Sequence, residues 1–233
     1  MTNQTAVPQH EMSLRSNQVR TVLSRLFAAA ACSHETPRWR RAGLSWESAT
    51  AQEQADALQD AYLPISARGG DLLYILVRGT RPNTLVEFGT SYGISTIYLA
   101  AAVADNGAGR VASTELSQAK VAAARANLAE ARLGDLVTIL PGDALETLND
   151  IPGPIDFVLL DGWKELCLPV LESLESRLAP GALIVADDIN LPSLGDCLAY
   201  VRDLANGYVS VAFPVEDGME ISCWTGQLGA QGK

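Results

Sequence analysis

The strongest structural signal in this chain is Ile155-Asp156-Phe157-Val158-Leu159-Leu160-Asp161-Gly162-Trp163-Lys164. It begins with a short, mostly apolar run that lies between Pro-Gly-Pro at 152–154 and Gly162. Such a run is typical of a β-strand buried on both faces, in the middle of a parallel sheet. Asp161 follows where the strand ends, and ligands of open α/β sheets bind just outside the carboxyl ends of the strands. A helix N-cap is the alternative role for this aspartate.

A second apolar run, at 182–186, is preceded by Pro180-Gly181 and ends at Asp187 and Asp188. Apolar residues at helical spacing between the two runs predict one crossover helix, which places the strands side by side and parallel. The carboxylates of Asp161, Asp187 and Asp188 are therefore expected at one edge of the sheet. They would repel one another unless a cation neutralises them, and oxygen ligands favour Mg²⁺ or Ca²⁺. The alternative is that Asp187 and Asp188 form only a cap or turn.

From residue 84 onward, predicted strands and helices alternate. Parallel strands are expected at 84–88, 110–114 and 136–140, and an antiparallel hairpin at 208–213 and 219–224. The expected fold is α/β, with a doubly wound, mostly parallel seven-stranded sheet of Rossmann-like type. A C-terminal antiparallel hairpin and an N-terminal helical layer complete it.

The N-terminal layer is predicted from helical spacing and one capping signal. Thr50 and Glu53 match a capping box that opens a helix running through Tyr62. The segment 34–46 combines arginines with tryptophans and is predicted to be a surface or lid loop. We therefore expect a helical extension or cap at 1–62 and the main domain at 63–233.

The bulk composition favours some classes of protein over others. The chain has 233 residues, of which 48% are hydrophobic and 19% charged, as expected for a globular protein with a real core. A net charge of −10 argues against nucleic acid or an anionic membrane as the main partner. No apolar run approaches membrane-spanning length. The four cysteines are far apart, which favours reduced thiols and a cytoplasmic location.

A glycine-containing loop closes the first strand in Glu87-Phe88-Gly89-Thr90-Ser91-Tyr92-Gly93-Ile94-Ser95. Its glycine spacing departs from the G-x-G-x-x-G pattern that binds dinucleotides, which disfavours a nicotinamide cofactor. Glu87 adds negative charge that suits a cationic ligand. Glu115 ends the second strand and is placed to accept both ribose hydroxyls, and Asp143 follows the third strand, where it could meet an adenine amino group. Together these features predict a nucleoside site.

These segments resemble the class I S-adenosylmethionine-dependent methyltransferases, and within that class the cation-dependent catechol O-methyltransferase-like enzymes. The likeness covers about residues 62–224. It rests on E-x-G-x-x-x-G-x-S at 87–95, on Glu115, and on the segments at 160–164, 186–188 and 217–220. The resemblance implies methyl transfer from S-adenosylmethionine to a hydroxyl of a small catechol-type acceptor, assisted by Mg²⁺ or another divalent cation. The family usually has Asp-Asn where this chain has Asp187-Asp188, so this site carries one more negative charge.

The resemblance also implies a role for each matched residue. Lys164, as general base, and Glu220, as the contact of an acceptor hydroxyl, are the expected catalytic residues. The expected metal ligands are Asp161, Asp187 and Asp188. The expected S-adenosylmethionine-binding residues are Glu87, Gly89, Ser91, Gly93, Ser95, Glu115, Asp143, Ala144, Asp161 and Trp163. The expected partner is a small aromatic acceptor, with no nucleic acid and no membrane, and a homodimer stays open.

Other functions remain compatible with the same residues. The chain could be a metal-independent methyltransferase of the same fold, a nicotinamide oxidoreductase, or a non-catalytic adenosylmethionine-binding protein. Lys164 could be an exposed lysine of a first helical turn, and Glu220 a plain edge-strand carboxylate. A lysine with an ordinary pKa of about 10.4 is protonated at neutral pH. A nearby divalent cation disfavours a second positive charge and could lower this pKa, whereas the extra carboxylate of Asp188 acts in the opposite direction.

Overall fold

The computed structural model describes residues 12–32 and 49–226. The predicted loop at 34–46, with Trp39 and Trp46, lies outside the described residues. Among the described residues, three α-helices precede the sheet: α1 (Asn17–Cys32), α2 (Ala51–Ala57) and α3 (Ala67–Thr80).

The remaining helices alternate with the strands. The strands are β1 (Thr84–Phe88), β2 (Arg110–Glu115), β3 (Val137–Pro141), β4 (Ile155–Leu160), β5 (Leu178–Asp187), β6 (Tyr208–Phe213) and β7 (Met219–Trp224). The helices between them are α4 (Ile94–Asn106), α5 (Gln118–Glu130), α6 (Ala144–Thr147), α7 (Cys167–Leu174) and α8 (Gly195–Arg202).

The described strands form one seven-stranded sheet in the order β3-β2-β1-β4-β5-β7-β6. The first five strands of this order are parallel, and β7 pairs antiparallel with both β5 and β6. This topology confirms the predicted α/β fold with its C-terminal antiparallel hairpin. It also places β4 between β1 and β5, as its apolar run predicted.

Strand β4 is buried on both faces. Phe157 and Leu159 pack into a core cluster shared with α1, α3, α4 and α5, whereas Val158 and Leu160 pack against α7 and α8. All four side chains are fully buried. Helix α1 contributes Val22 to the first cluster, so the described part of segment 1–62 shares the core of the sheet.

Two elements differ from the sequence-based prediction. Helix α2 ends at Ala57, although the prediction carried it through Tyr62. Leu58 and Tyr62 have helical spacing, but both line a cavity instead of continuing a helix face. Strand β5 begins at Leu178, because Leu178 pairs with Ile155 before the register shifts. The Pro180-Gly181 pair therefore lies in an irregularity within the strand and not at its start.

None of the described helices is both long enough and apolar enough to span a membrane.

Candidate active site

A cavity of about 500 Å³ lies at the carboxyl ends of the parallel strands. Phe88 pairs with Leu160, and Leu160 pairs with Ala186, so the segments after β1, β4 and β5 begin at the same level. Residues between 51 and 65, which precede α3, line the cavity from another side. The predicted site residues that line it are Gly89, Ser91, Ser95, Glu115, Asp143, Ala144, Asp161, Trp163, Lys164, Asp187 and Asp188.

The loop after β1 requires glycine where it passes the end of β4. Gly89 has a φ of +102°, and a Cβ there would lie 2.5 Å from the carbonyl oxygen of Asp161. Gly93 forms the N-cap of α4 in a left-handed conformation, and it shapes the loop without being one of the cavity-lining residues. This turn of the backbone places Ser91 and Ser95 in the cavity wall.

Glu115 ends β2, and the backbone holds its carboxylate in place. The N–H of Ser91 donates to Oε2 of Glu115 at 2.7 Å, and the N–H of Ser117 donates to Oε1 at 2.9 Å. Each carboxylate oxygen has two lone pairs, so each keeps one further position for a ligand donor. In the loop after β3, Asp143 forms the N-cap of α6 by accepting a hydrogen bond from the N–H of Leu145 at 2.9 Å.

Glu87 lies beneath the loop and is not among the residues that line the cavity, so its expected contact with the cofactor stays a prediction. It is fully buried, and its carboxylate accepts hydrogen bonds from the hydroxyls of Ser95, Thr96 and Ser113. Burial raises its pKa to about 7, against the effect of the three hydroxyl donors. Because Ser95 is also a cavity-lining residue, Glu87 acts on the site by orienting this serine.

The buried Glu87 should make the stability of the protein depend on pH. Its pKa rises from 4.5 to about 7 on folding, so its stabilising contribution is full below about pH 4.5 and is lost as the pH rises through 7. We expect the free energy of unfolding of the wild type, relative to Glu87→Gln, to fall by roughly 2–3 kcal/mol from pH 5 to pH 8. Urea denaturation of both proteins at the two pH values measures this difference. A difference that does not change with pH would contradict the assignment.

Three aspartates converge at the ends of β4 and β5. Carboxylate oxygens of Asp161, Asp187 and Asp188 all lie within 4.8 Å of one another. Burial, followed by the neighbouring aspartates, raises the pKa of Asp187 to about 8. Burial also raises the pKa of Asp161, although Lys164 opposes this effect. Burial is the largest cause of both raised pKa values, and repulsion between neighbouring aspartates adds to it.

Lys164 lies among these carboxylates. Its Nζ is 3.1 Å from Oδ1 of Asp161 and 3.0 Å from Oδ2 of Asp188, and the side chain is 9% exposed. Burial lowers the pKa of Lys164, but the two carboxylates more than offset it, so the pKa lies above its ordinary value. This direction is opposite to the lowering expected for a site with a bound divalent cation. The structure also excludes the alternative that Lys164 is an exposed lysine.

The structure does not bring Glu220 to the cavity. Glu220 is 1% exposed on β7, and its carboxylate accepts hydrogen bonds from Nε and Nη2 of Arg202 on α8 and from Oγ of Ser210 on β6. These partners hold the pKa of Glu220 below its ordinary value, although burial acts in the opposite direction. Its contacts join α8 to the hairpin, and the catalytic contact expected of Glu220 stays a prediction.

Sequence reasoning also missed several cavity-lining residues. Tyr62 stacks on Tyr92 with ring centroids 4.0 Å apart, and the hydroxyl of Tyr92 donates to the carbonyl oxygen of Gln59. Lys120, in the first turn of α5, lies with its Nζ 6.0 Å from the centre of the Tyr92 ring. Tyr92 belongs to the glycine loop that the sequence singled out, but no local pattern indicated that the segment before α3 packs against it.

Comparison with known proteins agrees with this arrangement. A family model described as a methyltransferase domain matches residues 86–189, which run from β1 to the aspartates after β5. Fold and matched segment therefore define a class I methyltransferase. The chain belongs to the catechol O-methyltransferase-like family of the S-adenosylmethionine-dependent methyltransferases, which confirms the resemblance seen in the sequence.

Three relatives illustrate the likeness. The catechol O-methyltransferase of Mycobacterium tuberculosis (strain ATCC 25618 / H37Rv) is 32% identical over 142 residues, which cover 60% of this chain and 64% of that protein. The catechol O-methyltransferase of Niastella koreensis is 30% identical over 156 residues, which cover 63% of this chain and 68% of that protein. The O-methyltransferase TomG of Streptomyces achromogenes, solved in complex with S-adenosylmethionine, has a TM-score of 0.62 and 26% identity, covering 81% of this chain and 96% of that one. The chain thus spans less than two thirds of the mycobacterial enzyme's length.

Proposed function

We propose that this protein transfers a methyl group from S-adenosylmethionine to one hydroxyl of a small aromatic acceptor with two adjacent hydroxyls, assisted by a divalent cation. One observation carries the proposal: the cluster of Asp161, Asp187, Asp188 and Lys164 shares a cavity with Ser91 and Glu115. The names of the relatives support the same acceptor class, because two of them are catechol O-methyltransferases.

The side chains present fit a divalent cation. Three carboxylates offer oxygen atoms within 4.8 Å of one another, and oxygen is the ligand that Mg²⁺ and Ca²⁺ prefer. With all three carboxylates ionised, Lys164 would supply one positive charge against three negative ones, which would leave two negative charges for one divalent cation to balance. Asp161, Asp187 and Asp188 would hold the ion. When bound, it would lower the pKa of a coordinated hydroxyl and orient the two hydroxyls of the acceptor.

Residues of the chain itself would bind and orient the two reactants. S-adenosylmethionine would supply the methyl group that its sulfonium sulfur carries. Glu115, held by two backbone N–H groups, accepts hydrogen bonds from the ribose and so orients the cofactor. Trp163 contributes an aromatic face to the same wall. Fixing both reactants in one cavity can supply roughly 7–11 kcal/mol of the reaction barrier.

Lys164 would hold the proton that leaves the hydroxyl. In the present arrangement Asp161 and Asp188 stabilise its ammonium form. With a cation held by these carboxylates, they would stabilise the ammonium form less, and Nζ would be able to accept the hydroxyl proton. The proton would thus pass from the acceptor oxygen to Nζ. That oxygen would form its bond to the methyl carbon as the carbon–sulfur bond breaks, and S-adenosylhomocysteine would leave with the electron pair on its sulfur.

Product analysis with matched acceptors tests the proposed reaction. The protein is incubated with S-adenosylmethionine, Mg²⁺ and either catechol or phenol, and methylated products are measured by mass spectrometry. We expect catechol to gain one methyl group and phenol to react at least about ten-fold more slowly, because phenol lacks the second hydroxyl contact. Equal rates for the two acceptors would contradict the adjacent-hydroxyl site. Binding of S-adenosylmethionine without methylation of either acceptor would favour a non-catalytic role.

A further inference from the structure

Lys120 is a buried cation in the cavity wall with no role in the proposed reaction so far. It lies in the first turn of α5, two residues after the Gln118–Glu130 helix begins, and its side chain is 5% exposed. The residue lines the same cavity as Glu115 and Tyr92. A charged side chain is rarely this buried without a partner, because removing it from water is costly.

Within residues 12–32 and 49–226, the ammonium group of Lys120 forms no hydrogen bond and no ion pair. Its nearest defined contact is the ring of Tyr92, whose centre is 6.0 Å from Nζ, at the outer limit of a cation–π interaction. Burial lowers the pKa of Lys120, and the negative charges of Glu115 and Asp60 oppose this effect without restoring the ordinary value. The three N–H donors of Nζ are therefore available to a ligand in the cavity.

Glu115 and Lys120 have complementary hydrogen-bonding capacities. An ionised carboxylate only accepts hydrogen bonds, and an ammonium group only donates them. A ribose hydroxyl can do both at once, donating its proton to one group and accepting from the other. The free lone pairs of Glu115 and the free donors of Lys120 thus match a pair of adjacent ribose hydroxyls, which neither residue would satisfy alone.

We propose that Lys120 is a second ribose-binding residue of the cofactor site, donating a hydrogen bond to a ribose hydroxyl whose proton is donated to Glu115. The inference rests on the proposed function, because the ribose is that of S-adenosylmethionine. Lys120 contributes cofactor affinity and takes no part in the transfer of the methyl group. Its electrostatic partners, Glu115 and Asp60, place it at the ribose end of the cavity and not beside the aspartate cluster.

Calorimetric binding of S-adenosylhomocysteine to the wild type and to Lys120→Met tests this inference. We expect the substitution to weaken binding by on the order of ten-fold, as for loss of a hydrogen bond to a charged group. The loss should be the same with 5′-methylthioadenosine, which keeps the ribose but lacks the amino acid. It should shrink to less than about two-fold with the 2′,3′-dideoxy analogue of S-adenosylhomocysteine, because no hydroxyl remains to accept the bond.

Two control variants distinguish a direct contact of Lys120 with the ribose from a general effect of removing a positive charge from α5. Arg125→Met removes a positive charge from the same helix. Arg125 donates to the carbonyl oxygen of Ile139, and neither residue lines the cavity. We therefore expect this substitution to change the affinity for S-adenosylhomocysteine by less than about two-fold. Lys120→Gln keeps a hydrogen-bond donor, so its affinity for S-adenosylhomocysteine should lie between those of the wild type and Lys120→Met. It also replaces the methionine variant in the test if that variant does not fold.

Three results would overturn the inference. Unchanged affinity of Lys120→Met and Lys120→Gln for S-adenosylhomocysteine would exclude any contact. A loss that disappears with 5′-methylthioadenosine would assign Lys120 to the amino-acid carboxylate of the cofactor. An equal loss with the dideoxy analogue would show that Lys120 acts on the protein and not on the ribose. Failure of the wild type to bind S-adenosylhomocysteine would instead overturn the proposed function itself.

Discussion

Replacing Lys164 with methionine should lower kcat for methyl transfer by on the order of a hundred-fold to ten-thousand-fold, the usual range for loss of a general base. The effect should be large because Nζ of Lys164 lies 3.1 and 3.0 Å from two aspartates of the candidate metal site, where the acceptor hydroxyl would bind. Affinity for S-adenosylhomocysteine should stay within about three-fold, because Lys164 is not placed to hold the ribose. Steady-state kinetics with catechol and calorimetry measure the two quantities.

The pH profile and a second lysine variant act as controls for this prediction. The deficit of Lys164→Met should shrink at high pH, where the acceptor hydroxyl ionises without help from a base. Lys120→Met should show the reverse pattern, with weakened cofactor binding and a nearly unchanged kcat at saturating cofactor. A Lys164→Met protein with wild-type kcat near neutral pH would show that Lys164 does not take the proton.

The two adjacent aspartates should respond differently to the same substitution. Asp187→Asn should reduce methyl transfer by at least about a hundred-fold, because Asp187 is 9% exposed and lies in the cluster that would hold the cation. Asp188→Asn should keep activity within about ten-fold. Asp188 is 36% exposed in its side chain, and its φ of +59° is one that asparagine adopts readily. Asparagine also keeps an oxygen that can accept from Lys164.

Activity at saturating Mg²⁺ and calorimetric affinity for Mg²⁺ distinguish these two aspartate variants. Asp187→Asn should lose both activity and affinity for Mg²⁺. Asp188→Asn should keep activity, with a changed preference among divalent cations. Both substitutions remove one negative charge, so a general electrostatic effect would affect them equally. Equal activities of the two variants would therefore contradict the assignment of Asp187 as a ligand.

The fold and the aspartate cluster could be predicted because short-range patterns specify them. The apolar run of β4 predicts a central strand, and parallel strands bring their carboxyl ends together, so Asp161 and Asp187 had to converge. The glycine-containing loop was also recognised from its sequence, although the close approach of Gly89 to the end of β4 is seen only in the structure. These inferences need no knowledge of how distant segments pack.

The remaining features depend on side-chain direction and on long-range contacts. Glu87 lies one residue inside β1, so its side chain faces the serine and threonine hydroxyls beneath the loop. Glu220 faces Arg202 because of the register of β7, which no sequence pattern specified. Tyr62, in the segment between α2 and α3, and Lys120, in α5, both lie against Tyr92, and neither carries a motif. Such contacts are set by tertiary packing, which overrides local propensity.

The most direct test of a cation-assisted methyl transfer is the rate of catechol methylation by S-adenosylmethionine as a function of free Mg²⁺ in chelator-buffered solution. The protein is first dialysed against EDTA, and the same titration is run with Asp187→Asn. We expect the wild-type rate to fall to background in EDTA and to return with Mg²⁺, whereas Asp187→Asn stays near background throughout. A full wild-type rate in EDTA would contradict the account and would assign Asp161, Asp187 and Asp188 to a metal-independent methyltransferase.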